Sequence, residues 1–315
     1  MTKKLILSLS SLLLTSNVIA DTISNEEAAR LAKEAHLSSI NALLIFTSQD
    51  GLNSGLYHFT KIGADMEIYN LPFSYTFDSN GAKLEYFIMG NVGYSRVYLS
   101  KDREVDVPAG RLDYKNHLRT YTAGFGGGIK YHLYEEFTVS GGVEIIYSRS
   151  GVSVKEPGDG IDEAITDFFD EDYNQNMSYK LLVSAEYKPK IKMINPYIKF
   201  DYELFDTKSS FDFGEFIDFK TQSMVTTVAI GAESNELYRY NTHYLTLEAY
   251  VDINHINGKA AETIKFENYA SLGAVAYWYT EDAPSWIERY FIELSSVKAD
   301  GLNGYNIGVG FTIDF

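Results

Sequence analysis

The chain has no cysteine among its 315 residues. No disulfide can hold it, no thiolate can ligate a metal, and no lipidated cysteine can follow an export signal. Stability therefore rests on packing and backbone pairing. Basic residues are scarce, with 27 lysines and arginines against 43 acidic residues and a formal net charge of −16. Phosphate binding needs a basic surface, so nucleic acid is excluded as an expected partner. No segment approaches the 18 or more consecutive apolar residues of a transmembrane helix. That leaves a soluble chain or one that crosses lipid with strands. Only six prolines interrupt the chain, and its composition argues against disorder.

What is present begins with an export signal. Lys3 and Lys4 precede an apolar run from Leu5 to Leu14 and a Val18-Ile19-Ala20 end, so residues 1–20 read as a signal peptide cleaved after Ala20. Its removal leaves 295 residues, enough for one large core or one barrel. Ser24 can cap a helix with Glu27 three residues on, and Ala28, Leu31, Ala32 and Ala35 then share one stripe. Residues 21–37 are expected to form a short N-terminal segment built on that helix, with Arg30 and Lys33 on its polar surface. Its stripe needs a surface to cover it, because a short isolated helix is marginal in water. A barrel lumen would offer one.

Beyond residue 38 the dominant signal is period-two alternation, which sends successive side chains to opposite faces of a strand. Phe137, Val139, Val143, Ile145 and Tyr147 alternate with Thr138, Ser140, Gly142, Glu144 and Ser148. Tyr121 to Leu133 repeats the pattern, and the three residues between the two runs predict a hairpin. Further runs span Tyr69 to Phe77, Leu84 to Tyr94, Met177 to Tyr187, Ile198 to Leu204, Met224 to Ala232 and His243 to Ile253, with weaker ones at Ala270 to Trp278 and Tyr290 to Leu294. In the last run Tyr305, Ile307, Val309, Phe311, Ile313 and Phe315 alternate with small or polar residues. A first strand is expected near Ser39 to Thr47, while Leu56 to Ile62 reads as an additional extramembrane strand. The count is then twelve.

A soluble β-sandwich also alternates, but its strands are shorter and need no aromatic residues at both ends. Several runs here are long enough to cross a bilayer when tilted, and carry aromatic residues at both ends. The expected fold is all-β: a transmembrane antiparallel up-and-down barrel of about 12 strands over residues 38–315, lying in outer-membrane lipid. With the C-terminus inside, the connections alternate as such a barrel requires. Long ones fall near Ser100 to His117, Ser150 to Asn176, Asp206 to Thr221 and Asn254 to Lys265, and short ones between them.

Parity places the polar face of the strands in the lumen. It collects Glu85, Glu144, Glu186, Asp201, Glu203, Glu248, Asp252, Glu293 and Asp314, with Lys130, Lys180, Lys188 and Lys199 against them. Two readings stand: a cation-preferring pore, or the ordinary polar filling of a modest barrel, paired through lysine and water. The acidic stretch from Glu156 to Asp172 lacks calcium-loop spacing and reads as a solvated outer loop. His255-Ile256-Asn257-Gly258 has no serine where an outer-membrane phospholipase element would carry one, and no catalytic constellation or cofactor motif emerges.

The signal peptide, the short helix, about 12 strands and the terminal Gly308-Val309-Gly310-Phe311-Thr312-Ile313-Asp314-Phe315 together resemble the solitary outer-membrane autotransporter-type β-barrel family. The resemblance implies a bacterial outer-membrane location and a helix in the pore. With about 17 residues between signal and barrel, it implies no passenger to secrete. The aromatic C-terminal strand, Tyr305 to Phe315, resembles the signal read by the bacterial barrel-assembly machinery, which becomes the expected partner.

Overall fold

The computed structural model describes residues 54–61, 63–77, 81, 83–99, 105–107, 110–112, 115–155, 173–211, 219–280 and 287–313. Twelve strands form the wall: β1 (Ser54–Phe59), β2 (Ala64–Phe77), β3 (Leu84–Leu99), β6 (Lys115–Tyr134), β7 (Phe137–Lys155), β8 (Tyr173–Tyr187), β9 (Ile194–Phe211), β10 (Phe219–Ser234), β12 (His243–Gly258), β13 (Asn268–Thr280), β14 (Ile287–Ala299) and β15 (Leu302–Ile313). Each pairs antiparallel with its neighbour, and the pairing of β1 with β15 closes the sheet on itself. Closure leaves no free sheet edge to meet lipid along the paired registers, the condition for strands to cross a membrane. Three short strands lie outside the wall: β4 (Val105–Val107) and β5 (Gly110–Leu112) form a separate hairpin, and β11 (Tyr238–Tyr240) pairs only with β12.

The expected count of twelve holds, but the first stave is different. The place beside β15 belongs to Ser54–Phe59, which overlaps the segment taken for an extramembrane strand. Ser39 to Thr47 lies outside the described residues, as do the signal peptide and residues 21–37. Strands also run further than expected. The presumed loop Ser150 to Asn176 begins inside β7 and ends inside β8, and Asn254 to Lys265 is five more residues of β12, Asn254 among them, followed by a helix, α1 (Lys259–Ile264).

Most outward positions along the middle of the staves are apolar and exposed. Leu71, Val92, Phe125, Val143, Ile145, Leu181, Val183, Ile253, Leu272, Ile292, Leu294, Ile307 and Val309 form an apolar, largely aliphatic band. Tyrosines edge it on both sides. Tyr69, Tyr94, Tyr121, Tyr147, Tyr179 and Tyr305 lie toward the end with the long connections; Tyr69 and Tyr94 stack at 6.2 Å, and Tyr94 and Tyr121 meet at 5.1 Å. Tyr86, Tyr131, Tyr134, Tyr187 and Tyr290 edge the other side. From Tyr69 to Phe77 on β2 is eight residues, roughly 27 Å of strand at about 3.4 Å per residue, which tilted matches an apolar band of about 25 Å. So large an apolar surface in contact with water would drive aggregation; in lipid it is the solvated face. The abundance of tyrosine follows from the two interfaces, where a ring with one polar end is at home.

Candidate functional site: the lumen

Of the thirteen charged residues that parity assigns to the lumen, Asp314 lies outside the described residues and Lys188 lies in the connection after β8, while the others lie on strands of the wall. On one wall, Lys180 of β8 reaches Glu203 of β9 at 2.7 Å and Glu144 of β7 at 3.6 Å. Asn91 of β3 donates from Nδ2 to the Glu144 Oε1 at 2.6 Å, and that bond crosses Gly124, where a Cβ would lie 2.4 Å from Oε1. Charges taken out of water must be paired and hydrogen-bonded, and these three are both. Glu85 meets His132 at 3.1 Å, Lys130 donates to the Thr76 hydroxyl at 2.6 Å and sits over the Phe87 ring, and Asp201 pairs with Lys199 at 2.9 Å.

The opposite wall is held by tyrosines. Glu248 accepts from Tyr197 at 2.6 Å and from Tyr277 at 2.8 Å. Glu293 accepts from Tyr250, and the Tyr57 hydroxyl donates to Asn306. Glu233 takes the Thr246 hydroxyl at 2.5 Å and the Tyr279 hydroxyl at 3.1 Å, with Arg289 at 3.4 Å. Arg289 also lies 3.9 Å from the centre of the Tyr277 ring. Sequence parity found the carboxylates but neither these tyrosine donors nor Glu233 and Arg289. The expected pairing through lysine describes one wall only.

Glycines make room for these rings. A Cβ on Gly231 would meet Tyr197 at 2.5 Å, one on Gly273 would meet Tyr250 at 2.3 Å, and one on Gly304 would meet Tyr57 at 2.5 Å. Each tyrosine lies flat over a glycine of an adjoining stave and so brings its hydroxyl along the wall to a carboxylate or amide. Phe87 lies likewise over Gly128 and Gly142.

Toward the long-connection end the lumen turns apolar. Tyr57, Phe59, Met66, Ile68, Ile146, Phe205, Val225, Ile256, Tyr269, Val297 and Leu302 belong to one buried cluster, with Val97 and Leu118 packed against it. Counting by stave, eleven of the twelve contribute to this cluster, β8 being the exception. Ala260, Ala261 and Ile264 of α1 join them, followed by Phe266, whose ring stacks on Phe59 with centroids 6.1 Å apart. None of this was expected from a lumen-facing parity that predicts polar residues throughout.

The remaining sequence candidates are dispersed. His255 pairs with Asn268 at 2.8 Å on the outward side of β12, and Ile256 is in the apolar cluster, so the His-Ile-Asn-Gly segment is the end of a stave. The acidic residues 156–172 lie outside the described residues, and among the described residues no group of three or more His, Asp or Glu is placed to hold a metal ion. Tyr305, Ile307, Val309 and Phe311 point outward and are exposed; Ile313 ends β15, and Phe315 is outside the described residues.

The chain matches no family model and no curated protein. Among solved structures it is similar to the β domain of the Bordetella autotransporter BrkA, with a TM-score of 0.54 and 8% identity over 83% of this chain and 96% of that one. It is similar to the translocator domain of autotransporter NalP from Neisseria meningitidis, with a TM-score of 0.54 and 11% identity over 93% and 98%. The transport unit of autotransporter AIDA-I from Escherichia coli gives a TM-score of 0.54 and 11% identity over 90% and 99%. At such identities the likeness is one of fold. The chain has the twelve-stranded barrel fold of these domains, and its apolar outer band suits it to lipid.

Proposed function

We propose that this barrel is a closed component of the outer membrane with a structural or interaction role, and that its lumen is filled rather than conducting. The observation that carries the reading is the apolar cluster at the long-connection end, to which eleven of the twelve staves contribute. A conducting path needs a continuous polar lining, and an apolar constriction expels water. The internal pairing of Lys180, Glu144, Glu203, Glu248 and Glu293 supports the same reading, because charges committed to neighbours fill a lumen instead of attracting ions. In this reading the helix expected over residues 21–37 occupies the inner half, with Arg30 and Lys33 toward its carboxylates, and no catalysis is assigned.

The rival is a narrow cation-preferring channel, favoured by Glu233, Glu248, Asp252 and Glu293 along the inner half of one wall. Single-channel recording of the refolded protein separates the two. A closed barrel gives no steady conductance steps at moderate voltage. Regular cation-selective steps from the intact chain would establish the channel and end the closed reading.

A further inference from the structure

The connection between β12 and β13 is built as a strap. The Ile256 backbone N–H donates to the Glu267 carbonyl at 2.6 Å, so the chain leaves the wall and returns to it at one place. Between those points Gly258 (φ +83) precedes α1 and Lys265 (φ +65) follows it, both at positive φ. A Cβ on Gly258 would lie 2.5 Å from the Gln222 carbonyl oxygen, so only glycine makes the first bend. The strap turns an apolar underside of Ala260, Ala261, Ile264 and Phe266 into the lumen, onto Val225, Ile256 and Phe59.

Its upper side is polar, with Lys259 paired to Glu262 at 2.8 Å. Across the mouth, Lys61 of the β1–β2 turn donates to the Lys265 carbonyl at 3.2 Å and pairs with Asp300 of the β14–β15 turn at 2.8 Å. One exposed lysine thus joins three connections of the same rim. The Ala260 N–H is held by the Ser223 hydroxyl of β10 at 3.2 Å.

We propose that residues 259–266 are a hinged outer lid, latched by Lys61 and seated by Phe266, whose displacement opens the lumen to the cell exterior. The inference rests on the closed reading of the barrel and adds which element does the closing and from which side. The hinges are Gly258 at one end and the return to the wall at Glu267 at the other; the seat is the apolar cluster. Because the underside is held by side-chain packing and not by the strand ladder, opening is a local event that leaves the wall ladders intact.

The absence of cysteine makes the test direct. Val225 lies beneath the lid, fully buried, opposite Ile256. In Val225→Cys cells, a membrane-impermeant maleimide added outside should label the thiol slowly. Adding Phe266→Ala should speed labelling at least about tenfold, since the rate follows the open population and a buried phenylalanine is worth more than one such decade. Lys61→Ala should give a smaller increase, and replacing 259–265 by a glycine-serine linker the largest. Every variant is first checked for heat-modifiable migration, so that a misfolded barrel is not read as an open one. Rapid labelling in the intact chain, or equal slow labelling in all four, overturns the lid. Failure of the closed reading shows separately, as conductance of the unmodified protein.

Discussion

Lys180 places its ammonium 2.7 Å from a carboxylate oxygen of Glu203, with both side chains almost wholly shielded from water. Glu144 shares the same cation from the other side at 3.6 Å. Removing the lysine leaves two carboxylates in a low-dielectric wall with the cation gone. Lys180→Met is expected to cost about 3–5 kcal/mol, the usual consequence of taking one partner from a buried ion pair. Urea unfolding of the refolded protein measures it. The triple change Lys180→Met, Glu144→Gln, Glu203→Gln should recover most of the loss, because no uncompensated charge remains. A single variant as stable as the parent would show that the cluster is hydrated and weak.

Gly273 gives a second, steric prediction. A side chain there would collide with Tyr250, whose hydroxyl serves Glu293. Gly273→Val should destabilise by about 1–3 kcal/mol, as overpacking does, and displace the tyrosine from its carboxylate. Combining it with Tyr250→Ala removes the collision, so the pair should lose less than the sum of the two single changes. The heating midpoint for conversion to the unfolded gel band reads both. Strict additivity would mean that ring and glycine do not meet.

The wall was legible in the sequence because lipid imposes one rule on all outward positions, and runs such as Phe137 to Tyr147 obey it over their whole length. The first stave was not. Ser54–Phe59 has only six residues, turns Tyr57 and Phe59 into an apolar part of the lumen, and turns His58 outward, so the hydropathy contrast between its faces is blurred or reversed. Ser39 to Thr47, apolar on alternate positions and between them, looked more like a strand. The same assumption of a wet lumen hid the apolar cluster. Helix α1, Lys259–Ile264, is too short to show a period. Partners such as Tyr197 on β9 and Glu248 on β12, 51 residues apart, depend on which staves lie side by side and in what register. One chain's alternation fixes faces but not neighbours.

Closure of β1 on β15 has a measurable consequence. With the ladder continuous around the ring, detergent has no strand edge at which to begin unzipping the wall. Unheated protein should therefore migrate on a detergent gel apart from boiled protein. It should also stay in the membrane on carbonate washing. Identical migration together with release by carbonate would contradict a closed barrel.

The outward row of β15 makes the last prediction, in which lipid contact and recognition during assembly can be told apart. Tyr305, Ile307, Val309 and Phe311 all face the bilayer, so a charge on any of them is penalised in the folded state by about 2–4 kcal/mol near the midplane. Exchanging one apolar residue for another leaves that term nearly unchanged. If the aromatic residues at the chain's end are read by the barrel-assembly machinery, Phe311→Leu and Phe315→Leu should lower the amount of folded protein in the outer membrane and raise periplasmic degradation. Val309→Leu should do neither. The purified Phe311→Leu and Val309→Leu variants should refold in detergent with the stability of the parent, because an apolar side chain still faces the apolar phase. Heat-modifiable protein quantified in membrane fractions measures the first effect, and refolding yield the second. Wild-type levels for both phenylalanine variants in cells would reduce these residues to lipid contacts, and a matching loss of refolding in detergent would assign the defect to stability instead of recognition.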